Sequence, residues 1–201
     1  MAGTMPHAIF IETDVDGAGL VGAYAAELPG CAVFAASADE AAGAMPRRVG
    51  RFTAWLRESG EEAPSFVGDN WYEVERAAAA PDRRAAFSLD ELPPSDAEFA
   101  AWLRWLELAR EELAEAIDAA ADLDPEALGR IERQDVAFTR ELGGQAVPIE
   151  GDPIDRLYAA RDALTEALAA AGPGADGVRR ILRLAIADDL RVAARLRGDE
   201  A

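Results

Sequence analysis

Three ionisable residues interrupt the apolar stripes of predicted helices, and they are the side chains most able to act together chemically. Asp135, Arg161 and Asp188 each lie three or four residues from apolar neighbours, in three different helical segments. An unpaired charge at such a position is costly, and one guanidinium group can bind two carboxylates. We therefore expect Arg161 to lie between the two aspartates as a polar layer among the helices. The alternative is a solvated rim, where all three side chains reach water.

The remaining reactive side chains indicate little catalytic chemistry. Cys31 is the single cysteine and His7 the single histidine. One cysteine cannot form an internal disulfide, which fits a reducing, cytoplasmic location, and a cysteine without a cationic neighbour is most often a small buried residue. The sequence contains no G-x-S-x-G, P-loop or C-x-x-C pattern. We accordingly predict no catalytic and no cofactor-binding residue, and an enzyme is the less favoured class.

The acidic charge argues against two classes of partner. The 201 residues contain 20 Lys and Arg against 38 Asp and Glu, a formal net charge of -18. Such a surface repels nucleic-acid phosphates and anionic lipid headgroups, so we expect no nucleic-acid and no membrane partner. Arg47, Arg48 and Arg51 form the one concentrated basic group, and we expect it to be a solvated helix face. No apolar stretch approaches the length of a membrane-spanning helix.

Residues 1–80 show the pattern of a small β-β-β-α-β module. Two alternating apolar segments are joined by the turn sequence DGAG, and Pro29-Gly30 separates the second from a short third strand. Ser37 and Glu40 form an S-x-x-E capping box, which predicts the start of a helix. Pro46 lies within that helical pattern and either kinks one helix or begins a second. A fourth strand is expected after residue 70.

A change from period two to helical spacing marks a second region. Residues 81–95 are rich in proline and charge and are interpreted as a linker, with Ser95 or Asp96 as the next helix cap. Four amphipathic segments follow within 96–201, and such helices joined by short loops favour an antiparallel four-helix bundle. The expected fold class is therefore α+β, with the module followed by the bundle.

The first region resembles the HicB-type antitoxin domain. Three stretches carry the resemblance: Leu28-Pro29-Gly30-Cys31, Ser37 to Ala41, and Trp55-Leu56. They correspond to the family's tight turn, its T/S-x-x-E-A helix start and its tryptophan-bearing helix. The resemblance covers roughly residues 7–76 and implies a small basic ribonuclease toxin as partner. No basic helix-turn-helix or ribbon pattern corresponds to the family's C-terminal DNA-binding segment.

The second region resembles the DinB-like superfamily, which includes thiol-dependent transferases and isomerases. Three stretches carry the resemblance: IERQDVAFTRELG, PIDRLYAARDALTEAL and GVRRILRLAIADDLRVAARL. In that family three histidines hold a divalent metal, and their positions correspond here to Arg130, Asp188 and Val192. Arginine and valine cannot replace those ligands, so the resemblance implies that the metal site is lost. We predict no metal and no cofactor.

Carboxylates offer an alternative set of ligands, because Mg²⁺ and Ca²⁺ prefer oxygen. Asp135, Asp188 and Asp189 are the acidic residues that could supply such a site. A further set follows i, i+4 spacing on the first of the four helices and flanks its apolar stripe: Glu107, Glu111 and Glu115. We expect this second set to be solvated.

Three functions remain open at this point. The favoured one is a non-catalytic interaction or regulatory protein that binds a protein partner or a small ligand, with a homodimer as one open alternative for its oligomeric state. The second is a DinB-type thiol- or metal-dependent enzyme. The third is an antitoxin that neutralises a small basic ribonuclease toxin, for which the acidic surface would provide electrostatic complementarity.

Overall fold

The chain has an α+β fold with two compact units. The structure is a computed structural model and describes residues 7–64, 71–80, 84–145 and 151–199. The first unit comprises Met1–Leu89 and the second Asp90–Ala201. A four-stranded mixed sheet belongs to the first unit, and four of the five described α-helices belong to the second.

The first unit has the element order that the sequence predicts. Its elements are β1 (His7–Thr13), β2 (Val21–Ala25), β3 (Ala32–Ala35), α1 (Ala38–Glu58) and β4 (Trp71–Ala78). The strands lie in the order β3-β2-β1-β4. β1 pairs antiparallel with β2, β2 antiparallel with β3, and β1 parallel with β4. The parallel pair requires a crossover connection, and α1 lies in that connection.

Helix α1 begins where the capping signal lies and buries one face. The Ser37 hydroxyl accepts a hydrogen bond from the Glu40 backbone N–H at 3.3 Å. Met45, Phe52 and Leu56 are buried at helical spacing, and the helix packs against the strands. Pro46 lies within α1, which is assigned as one helix. Of the two alternatives for Pro46, the second helical segment is therefore wrong.

Strand β4 carries a bulge. Ile9 pairs with Glu73 and Phe10 pairs with Glu75, so that Val74 is an extra residue on the β4 side. β4 is the outermost strand at its end of the described sheet, and the side chain of Val74 is exposed. A bulge bends a strand and interrupts its ladder of hydrogen bonds.

The second unit contains four long helices. They are α2 (Asp96–Ala119), α3 (Pro125–Glu141), α4 (Pro153–Ala171) and α5 (Val178–Arg197). Ser95 and Glu98 form a complete capping box at the start of α2. Asp124 and Asp152 cap α3 and α4, each immediately before a proline in the first turn.

Part of the predicted linker is built into the two units. Ala85 and Phe87 are buried, and the Phe87 ring stacks on Phe10 with 4.7 Å between centroids. A short 3-10 helix follows at Ser88–Glu91. Within it Asp90 is buried and accepts from Arg183 of α5, with 2.6 Å between Oδ2 and Nη2. The interpretation of the whole of 81–95 as a linker is therefore wrong for these residues.

Helices α2 and α5 pack together and run in the same direction. Near the start of both, the Arg179 guanidinium lies over the Trp102 ring, 4.6 Å from its centroid. Farther along both, Arg197 donates to the Glu112 carbonyl at 3.1 Å and pairs with its carboxylate. The contact that lies later in α2 also lies later in α5, so the two helices run in parallel.

Helices α3 and α4 form a second parallel pair. Arg156 pairs with Glu132 at 3.2 Å, and Arg161 lies 3.7 Å from Asp135, so the second contact is three residues farther along α3 and five residues farther along α4. The expected antiparallel order is therefore not the order within these pairs. A stretch of 142–152 could span about 36 Å when extended, which exceeds the length of about 26 Å of α3, so a connection of this length permits a parallel pair.

Seven buried apolar residues bring all four helices into one core cluster. α2 contributes Leu113, Ala116 and Ile117, α3 contributes Leu128 and Ile131, α4 contributes Leu157, and α5 contributes Ala193. The candidate site lies along the same helices, beside this cluster.

Candidate functional site

A buried ionic cluster receives one side chain from each of the four helices. We use this name for Arg110 of α2, Asp135 of α3, Arg161 of α4 and Asp189 of α5. The Arg161 and Asp135 side chains are each 3% exposed, and the Arg110 side chain is 14% exposed. Apolar residues on the same helix faces bury the cluster, and the sequence signal was the interruption of those faces by charge.

The ionic cluster is held by contacts between α4 and its three neighbours. Arg161 Nη2 bonds to Asp189 Oδ1, and Arg161 Nε lies 3.7 Å from Asp135 Oδ2. Arg110 Nη1 donates to the Arg161 carbonyl oxygen at 3.0 Å and to the Thr165 hydroxyl. Thr165 in turn donates to the Arg161 carbonyl oxygen at 3.0 Å. A guanidinium from α2 is therefore fixed against the backbone of α4.

Two of the three residues expected in the polar layer lie close together, Arg161 and Asp135, but the second carboxylate beside Arg161 is a different aspartate. Asp135, Arg161 and Asp188 are all buried. The carboxylate on Arg161 Nη2 is that of Asp189, the residue after Asp188. Every residue of α5 from Arg180 to Asp189 is buried, so the apolar stripe could not distinguish two adjacent aspartates. Asp188 still contributes negative charge next to Asp135.

The ionic cluster leaves several buried polar atoms without hydrogen bonds. Four guanidinium nitrogens have no acceptor among the described residues: Nε and Nη2 of Arg110, and Nε and Nη1 of Arg161. Asp135 Oδ2 likewise has no donor within hydrogen-bond distance. Buried polar groups are normally paired by protein or ordered water, so each of these atoms requires an explanation. Four of these unpaired atoms are nitrogen donors, and one is an oxygen acceptor.

Burial changes the proton affinities of the same groups. Desolvation raises the pKa of Asp135 to about 7, opposed by Arg161 and Arg110 and reinforced by Asp189 and Asp188. Desolvation also raises the pKa of Asp189 and lowers the pKa of Arg110. The protonated form of Asp135 is therefore favoured relative to an exposed aspartate.

The residues that correspond to the DinB-like metal ligands do not meet in one site of ligating atoms. Arg130 is exposed, whereas Val192 is partly buried and packs against the apolar core cluster. The second carboxylate set lies on the solvent side of α2: Glu107, Glu111 and Glu115 are exposed. Within the described part of the chain, no group of three or more His, Cys, Asp or Glu residues has an arrangement that could hold a metal ion.

A second buried ion pair, which the sequence did not predict, lies on the sheet of the first unit. Glu12 is fully buried in β1. Its Oε1 accepts from Arg84 Nε at 3.0 Å and from the Ala85 backbone N–H at 2.6 Å. Its Oε2 accepts from Arg84 Nη2 at 2.9 Å and from the Tyr24 hydroxyl at 2.8 Å. Gly22 makes room for this arrangement, because a Cβ there would lie 3.0 Å from the Tyr24 hydroxyl oxygen.

The one sequence feature that could have indicated this ion pair is the position of Glu12 in β1. Glu12 alternates in step with Phe10 on β1 and therefore shares the face of an apolar residue. Its partner Arg84 lies in the segment interpreted as a linker, 72 residues away in sequence. Spacing alone could not connect the two, since nothing local to either residue indicates the other.

Three further residues from the sequence analysis have structural roles. Cys31 is buried, as predicted, and burial raises the pKa of its thiol to about 12. Its thiol is therefore a poor nucleophile. The His7 ring packs against the Trp71 ring, 4.7 Å apart by centroid. Arg48 lies over the Phe52 ring at 6.0 Å, so the predicted solvated face of α1 is only partly correct.

Residues 172–177 spell G-x-G-x-x-G, but they do not form a dinucleotide site. The fingerprint requires a strand before it and a helix after it, and here helix α4 precedes the segment. The first turn of α5 is also approached by Glu141, whose Oε1 would lie 2.8 Å from a Cβ on Gly177. Arg180 pairs with that carboxylate.

Comparisons with known proteins do not identify the chain. No family model, no curated protein and no solved structure matches it. The resemblances to HicB-type and DinB-like proteins therefore stay predictions that rest on the quoted stretches. None of the described helices combines the length and the apolar character needed to cross a bilayer.

Proposed function

We propose that the helical unit is a non-catalytic ligand-binding module, which takes up a small polar molecule at the buried ionic cluster. This is the small-ligand form of the interaction or regulatory function that the sequence favours. The second unit supports this proposal better than the first. Its ionic cluster contains polar atoms without hydrogen bonds, whereas both carboxylate oxygens of Glu12 in the first unit accept two hydrogen bonds each.

The observation that carries the proposal is the surplus of buried donors. Four guanidinium nitrogens, two on Arg110 and two on Arg161, have no acceptor among the described residues. Leaving a buried donor unpaired costs about 1–3 kcal/mol. A bound molecule that supplies acceptors would remove several such costs at once, which gives the site a physical reason to bind.

The side chains of the cluster favour binding over nucleophilic catalysis. They are guanidinium groups, carboxyl groups and the Thr165 hydroxyl. That hydroxyl donates its proton to the Arg161 carbonyl oxygen and accepts from Arg110. Because that proton is donated to a backbone carbonyl oxygen and not to a side-chain base, the hydroxyl acts as a positioning group.

The proposal includes an arrangement for the four helices. We expect a bundle in which α2 and α5 point one way and α3 and α4 point the other. The parallel contacts within each pair, the apolar core cluster shared by all four helices and the four-helix origin of the ionic cluster support this arrangement. It differs from the simple antiparallel bundle that short loops would give.

Thermal-shift screening followed by calorimetry tests the function. A panel of small polar compounds, charged and uncharged, is screened against the protein and against Arg110→Gln. Arg156→Gln is the matched control, because Arg156 is a partly exposed arginine of the same helical unit, paired with Glu132. We expect at least one compound to bind the protein and the control but not Arg110→Gln. If every compound that binds also binds Arg110→Gln equally, the ionic cluster is not the site.

A further inference from the structure

One edge of the Arg110 guanidinium is buried and has no acceptor. Its Nη1 is committed to the Arg161 carbonyl oxygen and to Thr165, which fixes the plane of the group. Its Nε and Nη2 lie side by side along the opposite edge, and neither has a hydrogen-bond partner among the described residues. Asp135 Oδ2 is 4.0 Å from Nη2, which is beyond hydrogen-bond distance.

We propose that this edge of Arg110 binds the carboxylate group of a small monocarboxylic acid, with one oxygen on Nε and the other on Nη2. Two parallel N–H groups of a guanidinium match the two oxygens of a carboxylate, which gives both affinity and orientation. The inference rests on the proposed function, since it names the ligand class of that same cluster.

The charges around the edge select a singly charged ligand. Asp135 of α3 and Asp188 and Asp189 of α5 are acidic, and Arg161 of α4 provides one positive charge in addition to Arg110. A doubly charged oxyanion would face this acidic surrounding with twice the repulsion. An uncharged amide would replace one acceptor oxygen with a donor NH₂ group, which the edge cannot use.

Arg110 lies towards the outer side of the ionic cluster, although its Nε and Nη2 atoms are themselves buried. Of the two arginines that pair with Asp135 it is the more exposed, at 14% against 3% for Arg161. The raised pKa of Asp135 favours the protonated form of that carboxyl, which weakens its repulsion of an incoming anion.

The test is a titration with sodium formate at constant ionic strength, followed by the ¹H–¹⁵N signals of the arginine Nε groups. We expect a saturable shift of the Arg110 signal, assigned from its loss in Arg110→Lys. That variant keeps the charge but removes the planar edge, so formate should bind it at least about tenfold more weakly, as measured by calorimetry because the Arg110 signal is absent. Arg156→Lys is the control for a partly exposed arginine and should bind formate as the unmodified protein does.

A second variant keeps the inference falsifiable if Arg110→Lys fails to fold. Thr165→Val preserves shape and removes the hydroxyl that fixes Arg110 Nη1, so it should weaken formate binding several-fold while circular dichroism stays unchanged. Inorganic phosphate and formamide are titrated in parallel and should not saturate. Formate binding that is unchanged in both variants, or no saturable formate binding at all, would overturn the inference.

Phosphate binding as tightly as formate would also overturn it, because the ligand class would then be wrong. The proposed function has a separate outcome. If formate fails but another compound of the screening panel binds in an Arg110-dependent way, only the monocarboxylate inference falls. If no compound binds in that way, both fall.

Discussion

The two units each bury an arginine against carboxylates, and they differ in how completely the polar atoms are paired. In the sheet unit, both oxygens of Glu12 are bonded twice, by Arg84, Tyr24 and the Ala85 backbone. In the helical unit, Arg110 and Arg161 have donors without an acceptor among the residues that the structure describes, although aspartates lie nearby. Burial and charge are similar, so pairing rather than burial separates a structural ion pair from a candidate binding site.

The difference follows from what supplies the partners. Around Glu12 the partners include a backbone N–H and a hydroxyl, which are short groups that fit an oxygen individually. In the ionic cluster the partners are mostly long side chains from separate helices, whose axes set the distances. Contacts of 3.7 and 4.0 Å between Arg and Asp atoms are the result. Such gaps are where a small molecule or ordered water completes the hydrogen bonding.

The largest effect should come from removing the fully paired carboxylate. Glu12→Ala removes the buried carboxylate that accepts hydrogen bonds from Arg84, Tyr24 and the Ala85 backbone. We expect the free energy of unfolding to fall by about 5 kcal/mol, at the upper end for a broken buried pair. Chemical denaturation at neutral pH measures it, with Glu73→Ala as the exposed control. A loss below about 1 kcal/mol would mean that the Glu12 network is not stabilising.

A smaller loss should follow in the helical unit from Arg161→Ala. Arg110 remains as a cation and Asp135 can take up a proton, so we expect about 3 kcal/mol, the lower end for a buried pair. In a protein with Trp55→Phe and Trp71→Phe, the fluorescence of Trp102 and Trp105 reports this unit alone.

The cost of Arg161→Ala should be recoverable by neutralisation. Arg161→Met combined with Asp135→Asn and Asp189→Asn removes the charges together, so most of the lost stability should return. If the triple variant is no more stable than Arg161→Ala, the aspartates are not the reason for the loss. A cost below about 1 kcal/mol for Arg161→Ala itself would place the cluster at a solvated rim.

The pH dependence of stability sharpens the comparison further. The pKa of Asp135 is raised to about 7 in the folded protein, so between about pH 4 and pH 7 the folded state holds a proton that the unfolded state releases. Stability from this group is therefore present at low pH and is lost as pH rises through 7. The gain between pH 8 and pH 6 is at most about 1.4 kcal/mol per pH unit.

Denaturant unfolding at a series of pH values, read by the same two tryptophans, checks this slope. Asp135→Asn should flatten it, since the asparagine does not titrate. Glu98→Gln is the control. The carboxyl of Glu98 is exposed and its pKa is lowered, so it titrates below pH 6 and its replacement should leave the slope unchanged. A slope that survives Asp135→Asn would assign the pH dependence to other groups.

The smallest effect should be that of metal. Arg130 and Val192 stand at two of the three positions that the DinB-like resemblance assigns to ligands, so neither zinc nor EDTA should change the melting temperature of the helical unit. Elemental analysis of the dialysed protein should find no stoichiometric zinc or nickel. A metal that survives dialysis and is lost in Asp188→Ala would contradict this expectation.

Local signals in the sequence predicted the fold better than the site. The Ser37 and Ser95 caps and the prolines at 125 and 153 mark helix starts through bonds within a few residues, and the structure has helices there. The direction of the helices was not predictable in this way, because it depends on a connection whose path the residue types do not determine.

The ionic cluster was predictable in outline because charge at an apolar position is visible in one helix at a time. Asp135 and Arg161 were found for that reason. Arg110 was not included, since it lies beside the apolar stripe of α2 and its long side chain reaches inward from there. The sequence predicted Asp188 where the structure has Asp189, because α5 is buried on most of its circumference and its apolar stripe does not distinguish the two. The pairing of Glu12 with Arg84 depends on tertiary contact alone.

The extra residue Val74 affects how the protein behaves at high concentration. An outermost strand can recruit strands from other molecules, and regular, flat strands do so most readily. In β4 the bulge at Val74 breaks the even spacing of backbone groups, and the ion pair between Glu73 and Arg76 places charge on the strand. These features make the strand a poor template for aggregation, although Tyr72 and Val74 expose apolar surface there.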